Sequence, residues 1–473
     1  MMLCLAGKPV SICIQNGVMV IRSEENTLIA SVHLSYLLTV KQDGDLLEIH
    51  YVVKKKNSSL KVKTIPISGP TEEISLLNET LQNVLEGRPK RLLVIINPRS
   101  GTQKAVKVFE NIARPLFNLC GVQGIVKVTT RPKEPMDILK KFDLSQIDGL
   151  VAVGGDGLYC ECMNGLVTRV QKDRNRDYDR NDLDIVPASL PIGIIPAGSG
   201  DVIVQYLHGT KCATTAVLHI LLGGHVDSNV VSVHEGGRLL SYSALILGFG
   251  LFGDMMYDCE KLRSLGPLRY KFVPFRSLLK RKEYDVEIEY YHVNKNQPPK
   301  RARVFGKQMS LPNGHLTSSK QKVKIQRMWS TSGVSNETNI AEECKKEKGR
   351  VYAVDTHAIM MKEQWGKMTP RFGQDSLMVY TTHACPLPDH ISQLTKVKNE
   401  QPNCYDFKFV TKHEVSRYKV RMIDPSVSTG GRGKKNQKEY YLNCDGEVIK
   451  LKEPEFDVKL HRKAVKFFGD VMK

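Results

Sequence analysis

The sequence lacks any apolar run of ~18 residues, so no helix of it is expected to span a membrane. It also lacks a cysteine pattern. Its eleven cysteines are scattered, with no C-x-x-C, which argues against a disulfide scaffold or zinc site and fits a reducing compartment. The apolar start, Met1 to Gly7, meets Lys8 too early for a signal peptide. There is no G-x-x-x-x-G-K-[ST], H-E-x-x-H or G-x-S-x-G. A P-loop ATPase, a zincin and a nucleophile-elbow hydrolase are therefore excluded. Acidic residues are scarce. Fifty Asp+Glu against 69 Lys+Arg leave a formal net charge of +19, which implies an anionic partner: nucleic acid, an acidic membrane surface or phosphorylated ligands.

What is present is organised around Val151-Ala152-Val153-Gly154-Gly155-Asp156-Gly157. Apolar residues after Leu150 read as the end of a buried strand, and Leu158 to Arg169 has the apolar spacing of a helix. A strand, a glycine turn and a helix start make a phosphate site, because glycine lets backbone approach phosphate and free helix N–H groups favour anions. Asp156 does not attract phosphate. It suits proton abstraction from an attacking hydroxyl, or a Mg²⁺. The alternative is a plain strand–helix turn with Asp as its polar residue. Two more glycine turns weigh against that: Asn97-Pro98-Arg99-Ser100-Gly101 and Pro196-Ala197-Gly198-Ser199-Gly200-Asp201.

At 473 residues, two or three domains are expected. Residues 1–87 read as short strands, including Ser11 to Arg22 and Leu46 to Val53, closed by a helix over 71–86. Thr71 is its expected cap and Ile74, Leu77, Leu81 and Val84 its apolar stripe. This is the outline of a pleckstrin-homology domain, though without a tryptophan in the closing helix, and Lys54, Lys55 and Lys56 are candidates for lipid phosphates. Arg88 to Arg91 reads as a linker. Over 88–225 strand, glycine loop and helix alternate, which predicts a parallel α/β nucleotide-binding domain with ligands at the strand C-terminal ends. Residues 226–473 predict a mostly antiparallel β domain, with strands at Leu239 to Leu247, Tyr284 to Tyr290, Arg350 to Met360, Leu377 to Thr381 and Tyr405 to Val410. A basic, polar insertion spans 295–349, and 425–438 is a Gly/Lys-rich loop. Gly248 to Gly253 matches G-x-G-x-x-G but opens no clean βαβ unit, so a glycine-rich strand bend at the lipid pocket is expected there.

Three stretches together resemble the diacylglycerol-kinase catalytic superfamily: Asn97 to Gly101, Gly154 to Gly157 with Glu161 and Asn164-Gly165, and Pro196 to Ser199. Gly253 to Gly266 and the late Asp445-Gly446-Glu447 narrow the resemblance to sphingoid-lipid kinases. Leu190 to Ser199 with Leu245 to Asp254 is similar to the ceramide kinases. The match is good over 88–290 and loose over 350–473. It implies a β-sandwich second domain and an active site in the cleft between the two domains. It implies ATP contacts at Asn97, Pro98, Arg99, Ser100, Gly101, Thr129, Glu161 and Gly198, and phosphate contacts from Arg263, Arg269, Asp445, Gly446 and Glu447. Asp156 is the implied catalytic base. Acceptor-lipid contacts fall at Gly154, Gly155, Asp156, Gly157, Asp254 and Met256. Sphingosine kinases place an Asp where this chain has Met256. ATP and Mg²⁺ are the implied cofactors, with Ca²⁺ stimulation open and the metal ligands unassigned. The family's calmodulin-binding helix would fall near 388–399, but Asp389 to Asn399 lacks a basic amphipathic pattern. The insertion holds Cys344 alone, not the C-x-x-x-C-x-x-C of vertebrate ceramide kinases.

Three function classes are weighed. The first is a lipid kinase acting on ceramide at the cytosolic face of an internal or plasma membrane, drawn there by anionic lipid. The second is a lipid-binding protein that has kept the pocket and lost the chemistry. The third is a nucleic-acid binder; its basic loops lack the interleaved aromatics of a stacking platform, which argues against it.

Overall fold

The computed structural model describes residues 3–55, 58–262, 268–292, 343–364, 367–399, 401, 403–423 and 439–469. Seven short strands, from Cys4–Leu5 to Leu60–Ser68, pair antiparallel in one sheet, and the helix Thr71–Val84 packs against it through the fully buried Ile74 and Leu81. Thr71 is not the cap. Pro70 holds that position, with no side-chain cap bond. One face of this sheet is not free. Leu38, Val52 and Leu60 share a core with Leu92, Phe109, Val217 and Phe468 of the following segment. The Leu60 amide donates to Thr215 Oγ1 at 2.9 Å, and the Arg88 guanidinium donates to the carbonyls of Ser35 and Leu37. The expected linker is thus a fastened joint.

Strands Arg91–Ile96, Gln123–Val128, Gly149–Gly154 and Pro191–Pro196 are parallel. Leu92 to Ile96 and Leu150 to Val153 are buried on both faces, which is why they read as unbroken apolar runs. In space the order is 123–128, 91–96, 149–154, 191–196. The first and third strands in sequence are therefore neighbours, and their connections leave in opposite directions. Ligands of doubly wound sheets bind at such a switch point, outside the strand C-terminal ends. Asn97 and Gly155 follow those ends here.

Beyond residue 225 the pairing is antiparallel. Strands Tyr284–His292, Glu343–His357, Leu377–His383 and Val410–Met422 pair in a closed ring around an apolar interior. The last strand, Glu455–Phe468, joins the two halves. It pairs antiparallel with Val410–Met422 and His225–Glu235, and parallel with Pro191–Pro196. The expected α/β and β layers are consequently one continuous fourteen-stranded sheet.

Several boundaries differ from expectation. Residues 343–349, assigned to the insertion, are strand, because their alternating charges pair across to Glu287 and Glu289. The run Leu239 to Leu247 is two strands, Arg238–Ser243 and Ile246–Gly250, with a corner between them. Residues 405–409 form turns rather than strand. Residues 295–342 and 425–438, and with them Arg263 and Lys56, lie outside the described residues.

Candidate active site

The three glycine turns come together. The Asn97 amide donates to the Val153 carbonyl at 3.1 Å and the Ala197 amide to the Gly154 carbonyl at 3.0 Å. Within the first turn, Asn97 Oδ1 accepts the Arg99 amide at 2.9 Å. A Cβ on Gly101 would lie 2.7 Å from the Ala197 oxygen, and one on Gly198 would lie 2.5 Å from Gly155 Cα. The turns stack backbone on backbone, and only glycine allows it. Gly154 meets Ser100 Oγ in the same way, whereas Gly157 faces open space. Thr129 is buried and fixes the rim of the site: its amide and hydroxyl both donate to the Ile96 carbonyl.

Helix Asp156–Asp173 starts at Gly155, which provides no side-chain cap. Its first amides remain available to an anion. Asp156 turns away from them. Its Oδ2 accepts the Val202 amide and its Oδ1 the Ile203 amide, both at 3.0 Å, so it caps the helix Val202–His208 from across the site. An ionised carboxylate has about four acceptor positions, and two amides leave room for a substrate hydroxyl. Beside it, Asp201 Oδ1 accepts the Gly198 amide at 3.0 Å. Burial, and then the Asp156 charge, push the Asp201 carboxyl upward once that hydrogen bond is set against them. Asp201 ends the third glycine turn, and the sequence alone assigns it no role.

Further along the helix, Asn164 is a fastener. It bonds the backbone of Tyr242 as both donor and acceptor, at 2.8 Å each. Gly165 lets the helix Glu134–Lys141 approach, since a Cβ there would lie 3.0 Å from Met136 Cα. Glu161 lines a cavity of about 100 Å³ together with Lys133, Asn164, Tyr242, Asp445 and Glu447. Burial raises the Glu161 carboxyl, a hydrogen bond from the Lys133 backbone opposes the rise, and the charge of Glu447 adds to it. Lys133, held at φ +62°, has no signal in the sequence pattern. Among the described residues no three acids, histidines or cysteines lie close enough to cage an ion. The Glu161–Glu447 pair does fit an Mg²⁺ that keeps water and phosphate oxygens as its other ligands.

Asp445, expected at the phosphates, is engaged elsewhere. It is half-buried at φ +53°, and its carboxylate accepts from the amides of Ala244, Leu245 and Ile246, from Ser243 Oγ, and from Cys160 Sγ at 3.3 Å. It holds the corner between the two strands at 243–246 and ties it to the Asp156 helix. Gly446, at φ +91°, donates to Asn443 Oδ1 and completes the turn that presents Glu447.

In the β half, strand Ile246–Gly250 leads into helix Leu251–Lys261. The glycines of the G-x-G-x-x-G match serve close packing. A Cβ on Gly250 would lie 2.3 Å from the Tyr352 oxygen, and one on Gly253 would lie 2.1 Å from the Tyr441 oxygen. Asp254 accepts from Tyr284 Oη at 2.5 Å and pairs with Lys282 at 3.2 Å, while Asp258 pairs with Lys280 at 2.8 Å. Met256 is half-buried on the same helix. Arg269 opens the helix Arg269–Lys280, with its charge felt at the buried Cys259.

Residues 91–233 match the diacylglycerol kinase catalytic domain. Over 452 residues the chain is 28% identical to a ceramide kinase of Homo sapiens, a match covering 89% of this chain and 82% of that protein. Ceramide kinase 1 of Caenorhabditis elegans is 33% identical over 253 residues, 52% of this chain and 46% of its own length. A ceramide kinase-like protein of Homo sapiens is 26% identical over 94% of this chain and 82% of its own. A crystal structure designated as a diacylglycerol kinase, from Bacillus anthracis str. Sterne, superposes with a TM-score of 0.50 at 14% identity, covering 81% of this chain and 98% of that one. That likeness concerns the fold alone.

Proposed function

We propose that this chain, a member of the ceramide kinase family and an ATP-dependent lipid kinase, transfers the γ-phosphoryl group of ATP to the primary hydroxyl of ceramide, giving ceramide 1-phosphate. The observation that carries the reading is the meeting of three glycine turns beside Asp156 at the switch point of the parallel sheet. Phosphoryl transfer needs positioning and charge stabilisation more than covalent help. The uncapped first amides of the helix at Asp156 are the donors for the phosphates, and the turns Asn97 to Gly101 and Ala197-Gly198 shape the backbone around them. Asp156, fixed by the helix at Val202, takes the hydroxyl proton as that oxygen bonds to the γ-phosphorus and the bond to the β-γ bridging oxygen breaks, releasing ADP. Bound Mg²⁺ neutralises phosphate charge, and Glu161 and Glu447 are the carboxylates suited to hold it. Arg263 and Arg269 are the cations assigned to the phosphate chain.

A preference for ceramide over a charged sphingoid base is supported by the helix Leu251–Lys261. Asp254 and Asp258 are paired, and Met256 offers an apolar, adaptable surface. Residues 1–87 are read as a pleckstrin-homology-type module that, with the net charge of +19, brings the enzyme to anionic lipid on the cytosolic face of a membrane. No helix among the described residues is long and apolar enough to cross one. The second reading is a silent ceramide-binding protein. It is supported by the similarity to the ceramide kinase-like protein and by the capping role of Asp156. Purified chain given labelled ATP, Mg²⁺ and detergent-dispersed ceramide, sphingosine or diacylglycerol decides between them. Ceramide is expected to carry most of the label. No labelled lipid at all would favour the silent reading, and preferential labelling of diacylglycerol would overturn both.

A further inference from the structure

The β half contains a deeply buried carboxyl that is treated very differently from Asp445. Asp355 lies within strand Glu343–His357 at 2% exposure. It stands opposite Gly248 in the strand pair, and a Cβ on Gly248 would lie 3.1 Å from its Oδ1. The carboxyl therefore lies over a glycine that leaves it space. Among the described residues, Oδ1 has no hydrogen-bond donor, whereas Asp445 has donors on both oxygens. A buried polar group left without a partner is costly and calls for an explanation.

The surroundings supply one. Phe252 flanks the same glycine. Tyr405 lies within electrostatic reach of both Asp355 and Tyr206. Tyr206 belongs to the helix Val202–His208, whose first amides hold Asp156. Asp355 lies against the glycine that precedes the helix Leu251–Lys261, which carries Asp254 and Met256. Its ionisable neighbours are neutral. Burial lowers His357 to about 4 and raises Tyr405 and Tyr418. With no cation beside it, burial pushes the Asp355 carboxyl well above its usual range, towards the neutral form. A protonated carboxyl presents one O–H donor and one C=O acceptor side by side. A secondary amide presents C=O and N–H side by side, so the two close a paired ring. An ester has no N–H, and an ammonium group has no acceptor.

We propose that Asp355 is the group that recognises the acceptor, its carboxyl pairing with the amide of an N-acylated lipid. This rests on the ceramide reading above and assigns a residue to the discrimination that the reading requires.

The test compares wild type, Asp355→Asn and Asp355→Leu on ceramide and on diacylglycerol in the same mixed micelles, with the KM for ATP and a thermal melt for each protein. Asn keeps a donor and an acceptor, so ceramide kcat/KM should stay within about threefold of wild type. Leu removes both, so ceramide kcat/KM should fall about tenfold or more with the KM for ATP unchanged. The ceramide-to-diacylglycerol ratio should fall with it. Leu should also melt at the same temperature as wild type or higher, because it removes an unpartnered buried group. An unchanged ratio in the Leu variant overturns the proposal. So does an Asn variant as impaired as Leu, which would mean that the charge is required. A Leu variant that melts lower and loses ATP affinity in parallel would show a structural role instead. Wild type inactive on ceramide overturns the ceramide reading and this inference with it. Wild type active with unmoved variants overturns this inference alone.

Discussion

The Asp156 carboxylate accepts the Ile203 amide at 3.0 Å, so the residue proposed to take the acceptor proton also caps a helix 46 positions further along the chain, whose first amide is that of Val202. The two roles predict a double effect of Asp156→Asn. The amide side chain must turn its NH₂ towards one of two backbone N–H groups, which should cost about 1–2 kcal/mol in stability. Loss of the base should lower lipid phosphorylation at least ~10²-fold. Denaturant melts and turnover on detergent-dispersed lipid measure the two separately. A folded variant with near-wild-type turnover would remove Asp156 from the chemistry and leave it as a cap.

Asp445→Ala should be the more damaging change. It leaves the amides of Ala244, Leu245 and Ile246 without their acceptor in a buried corner. Breaking such a charge-assisted cluster costs about 3–5 kcal/mol. Urea titration should show this loss even without nucleotide. Unchanged stability with weakened ATP binding would return Asp445 to the phosphates.

Removal of residues 1–87 is expected to reduce activity on dispersed lipid as well as on vesicles, with the larger loss on vesicles. Leu38, Val52 and Leu60 complete a core that belongs to the catalytic half, and Thr215 loses its partner at Leu60. Exposing that apolar face should lower the melting temperature. A truncated chain that melts as before and loses activity on vesicles alone would make the module a separable membrane adaptor.

Residues whose roles are local were legible in the sequence. The glycine turns, their strands and the Asp156 helix announce themselves through apolar runs and turn residues within a few positions of each other. The strand corner that Asp445 holds was not legible, because its partners lie about 200 residues upstream, and a D-G-E turn looks the same whether its carboxylate faces a nucleotide or a strand corner. The strand Glu455–Phe468 escaped notice for a similar reason. Its central Leu460-His461-Arg462-Lys463 breaks strict alternation, with Lys463 at φ +51°, as one strand serves two partners. Asp355 left no sequence signal, because an acid in an apolar strand stands out only when its surroundings prove to lack a donor.

Stability should fall on mild acidification. Burial lowers His357 to about 4 and His208 and His461 to about 3, against about 6.5 for an unfolded histidine. Between those values the unfolded chain binds more protons than the folded one. The contribution is therefore fully present above pH 6.5 and is lost as pH drops towards 4. Each histidine should cost more than about 1 kcal/mol by pH 5. Melts from pH 7.5 to 5 should show the decline, and His357→Gln should flatten the slope by about one proton. A level profile over that range would contradict the burial of these rings.

The last prediction concerns the choice of lipid. Helix Leu251–Lys261 holds Met256 half-buried, and the acids on either side of it, Asp254 and Asp258, are tied to Lys282 and Lys280. A free sphingoid base carries an ammonium group, whereas ceramide has the same backbone with an uncharged amide. A carboxylate at position 256 would be desolvated against that amide and a second acyl chain without a counter-ion, which is costly. Methionine avoids the cost and adapts its shape to the chain. Met256→Asp should therefore lower kcat/KM for ceramide and move the ratio towards sphingosine by ~10-fold or more, since a site of the wrong charge discriminates more strongly than one methylene does. The KM for ATP should hold, which separates lipid selection from a general loss of the site. If the folded, ATP-binding variant keeps the wild-type ratio of ceramide to sphingosine, Met256 is core filling and the selection lies elsewhere on the acceptor side.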